Sequence, residues 1–341
     1  MLPSAGVQGK SAAFPAEAGL YCGSGPCQCA GMPRRPALVL AALLLPVLPL
    51  LTGCGGVAAE VRSIPLALDP ERPGADRIGA LAFRGAVALE AMQFPGFGGL
   101  SGLWIGPDRD ELVAISDRGG VITGALAHDP QGRLAGVGDV RVRPLPDLDG
   151  RPVHGARADS EELARLPDGR WVVAFERRHR LLAYDESQDR PAGRAVALPD
   201  PPGFAAMEGN SGVEALAALG DGRLVAIHEG SSETAVHQAW IGGAEGWQRL
   251  WYRTEPPFRP TGAAALPDGG LLVLERRVGI LTGFSSRIVH VPAAQVVPGA
   301  VMEGEELARL ERPLLSDNFE AIAAVPAGDG GIDIYLLSDD N

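Results

Sequence analysis

The chain has 341 residues, with 30 Lys and Arg against 42 Asp and Glu, a net charge of −12 at neutral pH. That balance repels a polyphosphate backbone and attracts metal cations, so nucleic acid is excluded as a partner. All four cysteines (Cys22, Cys27, Cys29, Cys54) lie at or before residue 54, leaving the remainder without disulfides, cysteine nucleophiles or Cys-ligated zinc.

In chain order, residues 1–31 carry neither helical nor strand periodicity and stop just short of Met32. They read as a gene-model extension ahead of the true start. Arg34 and Arg35 then form a positive n-region, Ala37 to Leu51 an apolar run, and Leu51-Thr52-Gly53-Cys54 a small-residue ending of the bacterial lipobox type. The run is 15 residues long and contains Pro46 and Pro49, whereas a membrane-spanning helix needs about 20 apolar residues. Residues 32–53 are therefore expected to be a lipoprotein signal peptide, Cys54 the lipidation site, and 54–75 an acylated N-terminus and tether. Acyl chains hold a protein at a membrane without a spanning helix. Gly55, not an acid, follows the cysteine, which points to the bacterial cell envelope, on the outer membrane or its periplasmic face. Setting aside residues 1–53, with Lys10, Arg34 and Arg35 against Glu17, takes the bases from 30 to 27 and the acids from 42 to 41, a net charge of about −14.

Five later segments share one plan: a polar cluster, an apolar step, a turn built on Asp and Gly or Pro, an apolar strand and a terminal acid. They run from Gly99 to Arg118, Asp159 to Arg177, Asn210 to Glu229, Thr261 to Arg276 and Asp317 to Asp340. Each Asp-Gly flanked by apolar runs predicts a β-hairpin. Further strand-like stretches lie between copies, giving about four strands per unit of roughly 48 to 60 residues, the size of a propeller blade. The expected fold is all-β, a single β-propeller over 76–341. Six blades are expected within a range of five to seven, the sixth drawn from the degenerate stretch 280–312. A strand over 80–89 is placed to complete the closing blade, which is otherwise incomplete. No helical run is long enough for a βαβ unit, which excludes an α/β fold.

In a propeller the inner-strand ends share one mouth of the channel. Asp117, Asp159, Glu161, Glu176, Glu214, Glu229, Glu275, Glu320 and Asp339 would form an acidic ring there, with Arg118, Arg177 and Arg276 among them. Like charges so close need a cation or a proton to offset them, and hard oxygen donors suit Ca²⁺. Asp117, Asp159, Glu161, Glu214, Glu229, Glu320 and Asp339 are the expected Ca²⁺ ligands. Arg118, Glu176, Arg177 and Arg276 are the expected catalytic groups, and Ser101, Asn210 and Asn318 the substrate contacts. The plainer alternative is that these acids cap hairpins and pair with nearby arginines in solvent.

The stretches Phe97 to Leu103, Ser116-Asp117-Arg118-Gly119, Asp159 to Leu163, Asn210 to Glu214, Asp317 to Glu320 and Ser338 to Asn341 resemble the phytase-like family of bacterial propellers, also described as having esterase-like activity. The resemblance covers about residues 80–341. It implies an exported propeller that hydrolyses phosphoric or carboxylic esters with calcium. Two departures stand out. Members continue past the final Asp-Asp-Asn with another apolar strand, and Glu162 stands where a glycine commonly follows the first glutamate.

Other chemistries fit less well. Gly99-Leu100-Ser101-Gly102-Leu103 lacks the last glycine of a nucleophile elbow, and His154-Gly155-Ala156-Arg157 lacks the leading arginine of a histidine phosphatase. The tryptophans sit in strands at alternating positions, as blade packing requires. The sequence thus predicts a monomeric calcium-dependent hydrolase of small phosphoric or carboxylic esters. A non-catalytic envelope lipoprotein that binds a protein or glycan, and a propeller lactonase, remain the alternatives.

Overall fold

The computed structural model describes residues 57–91, 97–187, 190–207, 209–328 and 330–339. The signal-peptide segment and Cys54 lie outside the described residues.

Each repeat forms a hairpin through the same turn. In the second, the Leu166 N–H donates to Arg170 O at 2.7 Å and the Gly169 N–H to Leu166 O at 2.9 Å, with Gly169 at φ +89°. This is a type I turn closed by a left-handed residue, a position that glycine fills without a Cβ clash. Gly222, Gly269 and Gly330 repeat it at φ +88°, +89° and +86°. In the first repeat Arg109 takes that position at φ +62°, with its guanidinium 2.6 Å from Asp333.

The hairpins extend into sheets. Blade 1 contains Leu100–Ile105, Glu111–Ser116, Gly120–His128 and Leu134–Pro144, with Val57–Ala58 added at its outer edge. Blade 2 contains Ser160–Arg165, Trp171–Phe175, Arg180–Ser187 and Arg190–Ala197. Blade 3 contains Val213–Ala218, Leu224–His228, Val236–Gly243 and Gly246–Arg253, and Val301–Met302 joins its edge in parallel. Blade 4 contains Arg259–Ala265, Leu271–Gly279, Gly283–Val291 and Glu305–Leu310. Phe319–Pro326 and Ile332–Ser338 form the inner hairpin of blade 5. The five innermost strands touch in a closed cycle, the hairpin of blade 5 meeting both blade 4 and blade 1.

Among the described residues there are four blades of four or more strands and a fifth seen as a two-stranded hairpin, so the expected six is corrected to five, the lower end of the expected range. The stretch 280–312 supplies the third and fourth strands of blade 4 instead. Its repeat character is obscured because the connection between those strands detours to blade 3 through Val301–Met302.

The expected tether over 54–75 is also corrected, from residue 57 onwards. Val61–Leu66 pairs with Ala86–Ala91, and Leu68 and Asp69 are buried. Leu68 O accepts the Leu315 N–H, the Ala80 N–H donates to Leu307 O, and Arg84 O accepts the Leu134 N–H, all at 2.7–2.8 Å. This segment thus bridges blade 4 to blade 1 across the thin fifth blade. Val61, Val87 and Leu89 pack with Tyr335 and Leu337 on the core at that seam. The strand expected over 80–89 is split, Leu81–Ala82 pairing with Arg77–Ile78 and Ala86–Ala91 with Val61–Leu66.

The core lies between blades. Val113, Ile115 and Val121 of blade 1 meet Trp171, Phe175 and Tyr184 of blade 2, and the Trp104 and Trp171 rings meet edge to face at 5.2 Å. Burying each such side chain stabilises the fold by roughly 1.5–3 kcal/mol, which accounts for these tryptophans as packing residues.

Candidate functional site

Strand register identifies three tiers of residues at the channel mouth. Each innermost strand carries a β-bulge, one residue left unpaired between Ser101 and Leu103, Ser160 and Glu162, Val213 and Ala215, Pro260 and Gly262, or Phe319 and Ala321. A bulge bends a strand and re-aims a side chain. The residues so placed are Gly102, Glu161, Glu214, Thr261 and Glu320. The second tier consists of Asp117, Glu176, Glu229 and Asp339, each just after the last paired residue of the next strand, and of Arg276, which holds the equivalent position but is itself paired. The third tier faces the second. Gly99, Asp159, Gly212 and Asn318 accept the N–H of Asp117, Glu176, Glu229 and Asp339 at 2.9–3.0 Å, and Arg259 pairs in register with Arg276. Gly99 is required by the crowding: at φ +62°, a Cβ there would lie 1.9 Å from Asp117 Oδ1.

Blade 2 is the one blade with a carboxylate in every tier. One oxygen each from Asp159, Glu161 and Glu176 lies within 4.8 Å of the others, in a cavity of about 190 Å³ that Asp117, Glu320 and Asp339 also line. Asp159 is 8% and Glu176 6% exposed. Burial, reinforced by Glu176 and Asp159, pushes Glu161 well above the carboxylate range. Burial pushes Glu176 up to about 7, with a backbone hydrogen bond from Gly212 opposing and Glu229 and Asp159 adding to it. Burial also raises Asp159, against the pull of Arg177, whose Nε lies 2.6 Å from Asp159 Oδ2. Arg177 reaches that position from a left-handed backbone, φ +49°. Glu176 Oε1 is buried with no hydrogen-bond partner. An all-oxygen donor set with a buried orphan oxygen fits a hard divalent cation.

The opposite side is neutralised from within. Glu229 Oε1 lies 2.7 Å from Arg259 Nη1 and 3.8 Å from Arg276 Nη2, and Arg276 Nη1 also bonds Glu320 and Asn318 Oδ1. Burial raises Glu229 despite both arginines and a side-chain hydrogen bond with Glu214, and burial and Glu229 raise Glu214 well above its usual range. Burial lifts Glu320 to about 7 against the pull of Arg276.

The remaining sequence-predicted residues fall in three places. Arg118 stands exposed at the rim, 3.8 Å from Asp117, and Asn210 is exposed beside the cavity. Ser101 is buried, and its Oγ donates to Ser160 O at 2.6 Å, so its proton is committed to the seam between blades 1 and 2. Asn318 and Arg276 are tied to each other inside the channel. Glu275, expected in the ring, is turned into the blade. It accepts Tyr252 Oη and Arg287 Nε, both at 2.5 Å, and Thr254 Oγ1 at 3.1 Å. Its strand runs on to Gly279, so Arg276 takes the mouth position instead.

Sequence reasoning missed Arg259 and Thr261, which aligning the repeats on the bulge would have found; it placed Glu176 in the acidic ring, with a catalytic role rather than among the Ca²⁺ ligands. Glu162 replaces the expected glycine as a buried acid, accepting the Leu163 N–H at 2.8 Å. Burial drives it well above its usual range.

Among solved structures the chain is similar to a protein of unknown function from Dyadobacter fermentans, at 15% identity and a TM-score of 0.43 over 83% of this chain and 92% of that one. It is similar to virginiamycin B lyase from Staphylococcus aureus, at 12% identity and a TM-score of 0.37 over 82% and 89%. It is also similar to a putative gluconolactonase, at 16% identity and a TM-score of 0.36 over 81% and 95%. No curated protein matches it. A family profile, phytase-like with the description esterase-like activity of phytase, matches residues 95–341, nearly all of the propeller; the chain belongs to that family.

Proposed function

We propose that this chain is an exported hydrolase of phosphoric or carboxylic esters that works with a calcium ion at the mouth of the propeller. The observation that carries the reading is the blade 2 triad, in which Asp159, Glu161 and Glu176 bring three carboxylate oxygens within 4.8 Å and Glu176 Oε1 is buried without a partner. These three residues would hold the ion, with Asp117 and Asp339 facing it across the same cavity. Once bound, a divalent cation supplies Lewis-acid polarisation of the ester oxygen and lowers the pKa of a coordinated water.

The chain's own residues do the rest. Arg177 fixes the Asp159 carboxylate through its 2.6 Å contact and stands at the rim of the cavity. Arg118 and Asn210, both exposed there, are placed to meet an anionic or carbonyl oxygen of the substrate. Glu229 and Glu320 are engaged by Arg259 and Arg276, so they set the electrostatics of the channel rather than ligate.

The test is hydrolysis of a nitrophenyl phosphate, phytate, a nitrophenyl ester and a lactone, with calcium and with chelator. Calcium-dependent turnover of an ester or phosphoester is expected. Calcium binding with no hydrolysis of the four would leave a metal-stabilised binding protein, and lactone turnover alone would make it a lactonase. The envelope location rests on the Leu51-Thr52-Gly53-Cys54 ending: Cys54→Ser should release the protein from the membrane fraction, and a variant that still pellets would end the lipid-anchor proposal.

A further inference from the structure

The second strands of blades 1 and 2 end at Ser116 and Phe175, just before their mouth acids. In blade 4 the pairing runs on past Arg276, through Arg277 with Ser285 and Val278 with Phe284, to Gly279 with Gly283. At a strand's usual rise, this carries the hairpin roughly 10 Å beyond the Arg276 tier. Its tip is Ile280-Leu281-Thr282. Turn tips ordinarily carry Gly, Asn, Asp or Ser, yet Leu281 is 93% exposed, Ile280 is fully so, and Val278 beside them is exposed as well.

Other exposed apolar side chains lie at the same end of the propeller. Leu148 stands on the connection from Pro144 to Ser160, and Val236 opens the third strand of blade 3, after the mouth loop from Glu229. At the opposite end the hairpin turns are polar: Asp168 pairs with Arg170 at 2.8 Å and Asp221 with Arg223 at 2.6 Å. Leu66 and Ile332 at that end are little more than a third exposed. Aliphatic side chains bared on one face mark a surface that something covers.

The connectivity of the chain says what covers it. Val57 and Ala58 pair with Val142 and Arg141, near the mouth end of the fourth strand of blade 1, where Pro144 faces Gly120. The pairing is antiparallel, so the chain arrives at Val57 from the mouth side. Cys54 is three residues earlier, a reach of at most about 11 Å. Leu134, the far end of that strand, lies about 27 Å of strand away from Val142. An acyl group on Cys54 can therefore lie at the mouth end and cannot reach the other.

We propose that the mouth face is a membrane-docking surface: acylated at Cys54, the protein sits with the channel mouth towards the bilayer and the Ile280-Leu281 tip among the lipid headgroups. The proposal rests on the lipid-anchor reading above and not on the hydrolase reading. Two aliphatic side chains are too few to hold the chain at a bilayer, so the tip orients what the acyl chains anchor. Cys54→Ser is still expected to leave the membrane.

The experiment uses the lipidated full chain on vesicles of phosphatidylethanolamine and phosphatidylglycerol, a fraction of which carry a nitroxide on the acyl chain. Cys22, Cys27 and Cys29 precede the lipobox and Cys54 is consumed by acylation, so Leu281→Cys gives the processed chain one free thiol for an environment-sensitive dye. Asp221→Cys places the same dye on a turn at the opposite end. Both proteins should float with the vesicles, and the dye at 281 should shift to the blue and be quenched about fivefold more than the dye at 221. If Leu281→Cys folds poorly, Ile280→Cys reads the same tip. Flotation with the tip dye no more quenched than the dye at 221 overturns the docking face and leaves the anchor standing. A dye that shifts to the blue without quenching puts the tip against protein and equally overturns it. Failure to float ends the anchor reading and this proposal with it.

Discussion

Blades 2 and 4 are built on the same hairpin, the same turn and the same bulge, yet they present opposite charge to the channel. At the three mouth positions blade 2 places Asp159, Glu161 and Glu176, where blade 4 places Arg259, Thr261 and Arg276. The backbone therefore fixes where the side chains gather, and the residue at each tier fixes what gathers there. Blade 4 supplies internal counter-cations to Glu229 and Glu320, whereas among the described residues the counter-cation paired with a blade 2 acid is Arg177, which is largely exposed. One side of the mouth is balanced by the protein itself, and the other is where the proposed cation would sit.

The largest effect should come from disturbing the balanced side. Arg276→Gln strands Glu320 in a buried site and leaves Glu229 to Arg259 alone, and removing one partner of a buried ion pair typically costs about 3–5 kcal/mol. Urea unfolding should show a loss of that size at pH 8 and a smaller one at pH 5.5, where the two carboxyls can be protonated instead. An equal loss at both pH values would mean that Arg276 acts by packing alone.

On the unbalanced side a comparable change should have the opposite sign. Glu176→Gln removes a buried carboxylate whose charge is offset only in part, by Arg177 and a backbone hydrogen bond from Gly212, so the calcium-free variant should melt at the wild-type temperature or a few degrees above it. Its calcium affinity should fall by about two orders of magnitude or more, since a ligand charge is gone. Ligand in hundredfold excess over Kd stabilises a native state by about 2.7 kcal/mol, so the melting shift on adding calcium should nearly vanish. A Glu176→Gln protein that is less stable without calcium, and still stabilised by it, would place Glu176 outside the metal site.

The pH dependence follows from the same two sides. Glu176 and Glu320 titrate near 7 in the folded protein, above the ordinary 4.5, so the folded state binds more protons than the unfolded one between those values. Stability from these groups is present in full below about 4.5 and is lost as pH rises through about 7. Without calcium the melting temperature should fall from pH 5 to pH 8. With calcium, which competes with protons for Glu176, the fall should shrink, and the calcium-induced shift should be larger at pH 8 than at pH 5.5. A calcium shift independent of pH would separate the ion from Glu176.

The hairpins and the general acidity of the mouth were legible in the sequence because Asp-Gly turns and terminal acids are local signals. Three features were not. The sixth blade was expected because the outer strands of blade 4 are interrupted by a segment that pairs with blade 3, and pairing between distant segments leaves no local trace. Glu275 was placed in the ring because it ends an apolar run like Glu176 and Glu229. Whether the strand stops there or continues to Gly279 decides which way the side chain points, since the side-chain period is two. Arg259 was passed over for a related reason: its match to Asp159 emerges only when the repeats are aligned on the bulge rather than on their acids.

The smallest expected effect concerns blade 1, which offers the mouth neither a bulge acid nor an arginine inside the channel. Its inner strand carries Ser101, the residue a serine hydrolase reading would require as nucleophile. Such a nucleophile needs a base within hydrogen-bond reach, whereas the Ser101 hydroxyl donates to Ser160 O at 2.6 Å, and Ser160 in turn donates to Ser116 O at 2.6 Å. The two serines stitch blade 1 to blade 2, next to the acidic triad. Ser101→Ala should therefore cost about 1 kcal/mol of stability, the usual worth of one hydrogen bond, and leave kcat for ester hydrolysis within about twofold. A loss of several orders of magnitude in kcat without unfolding would move the chemistry from the carboxylates of blade 2 to the hydroxyl of blade 1.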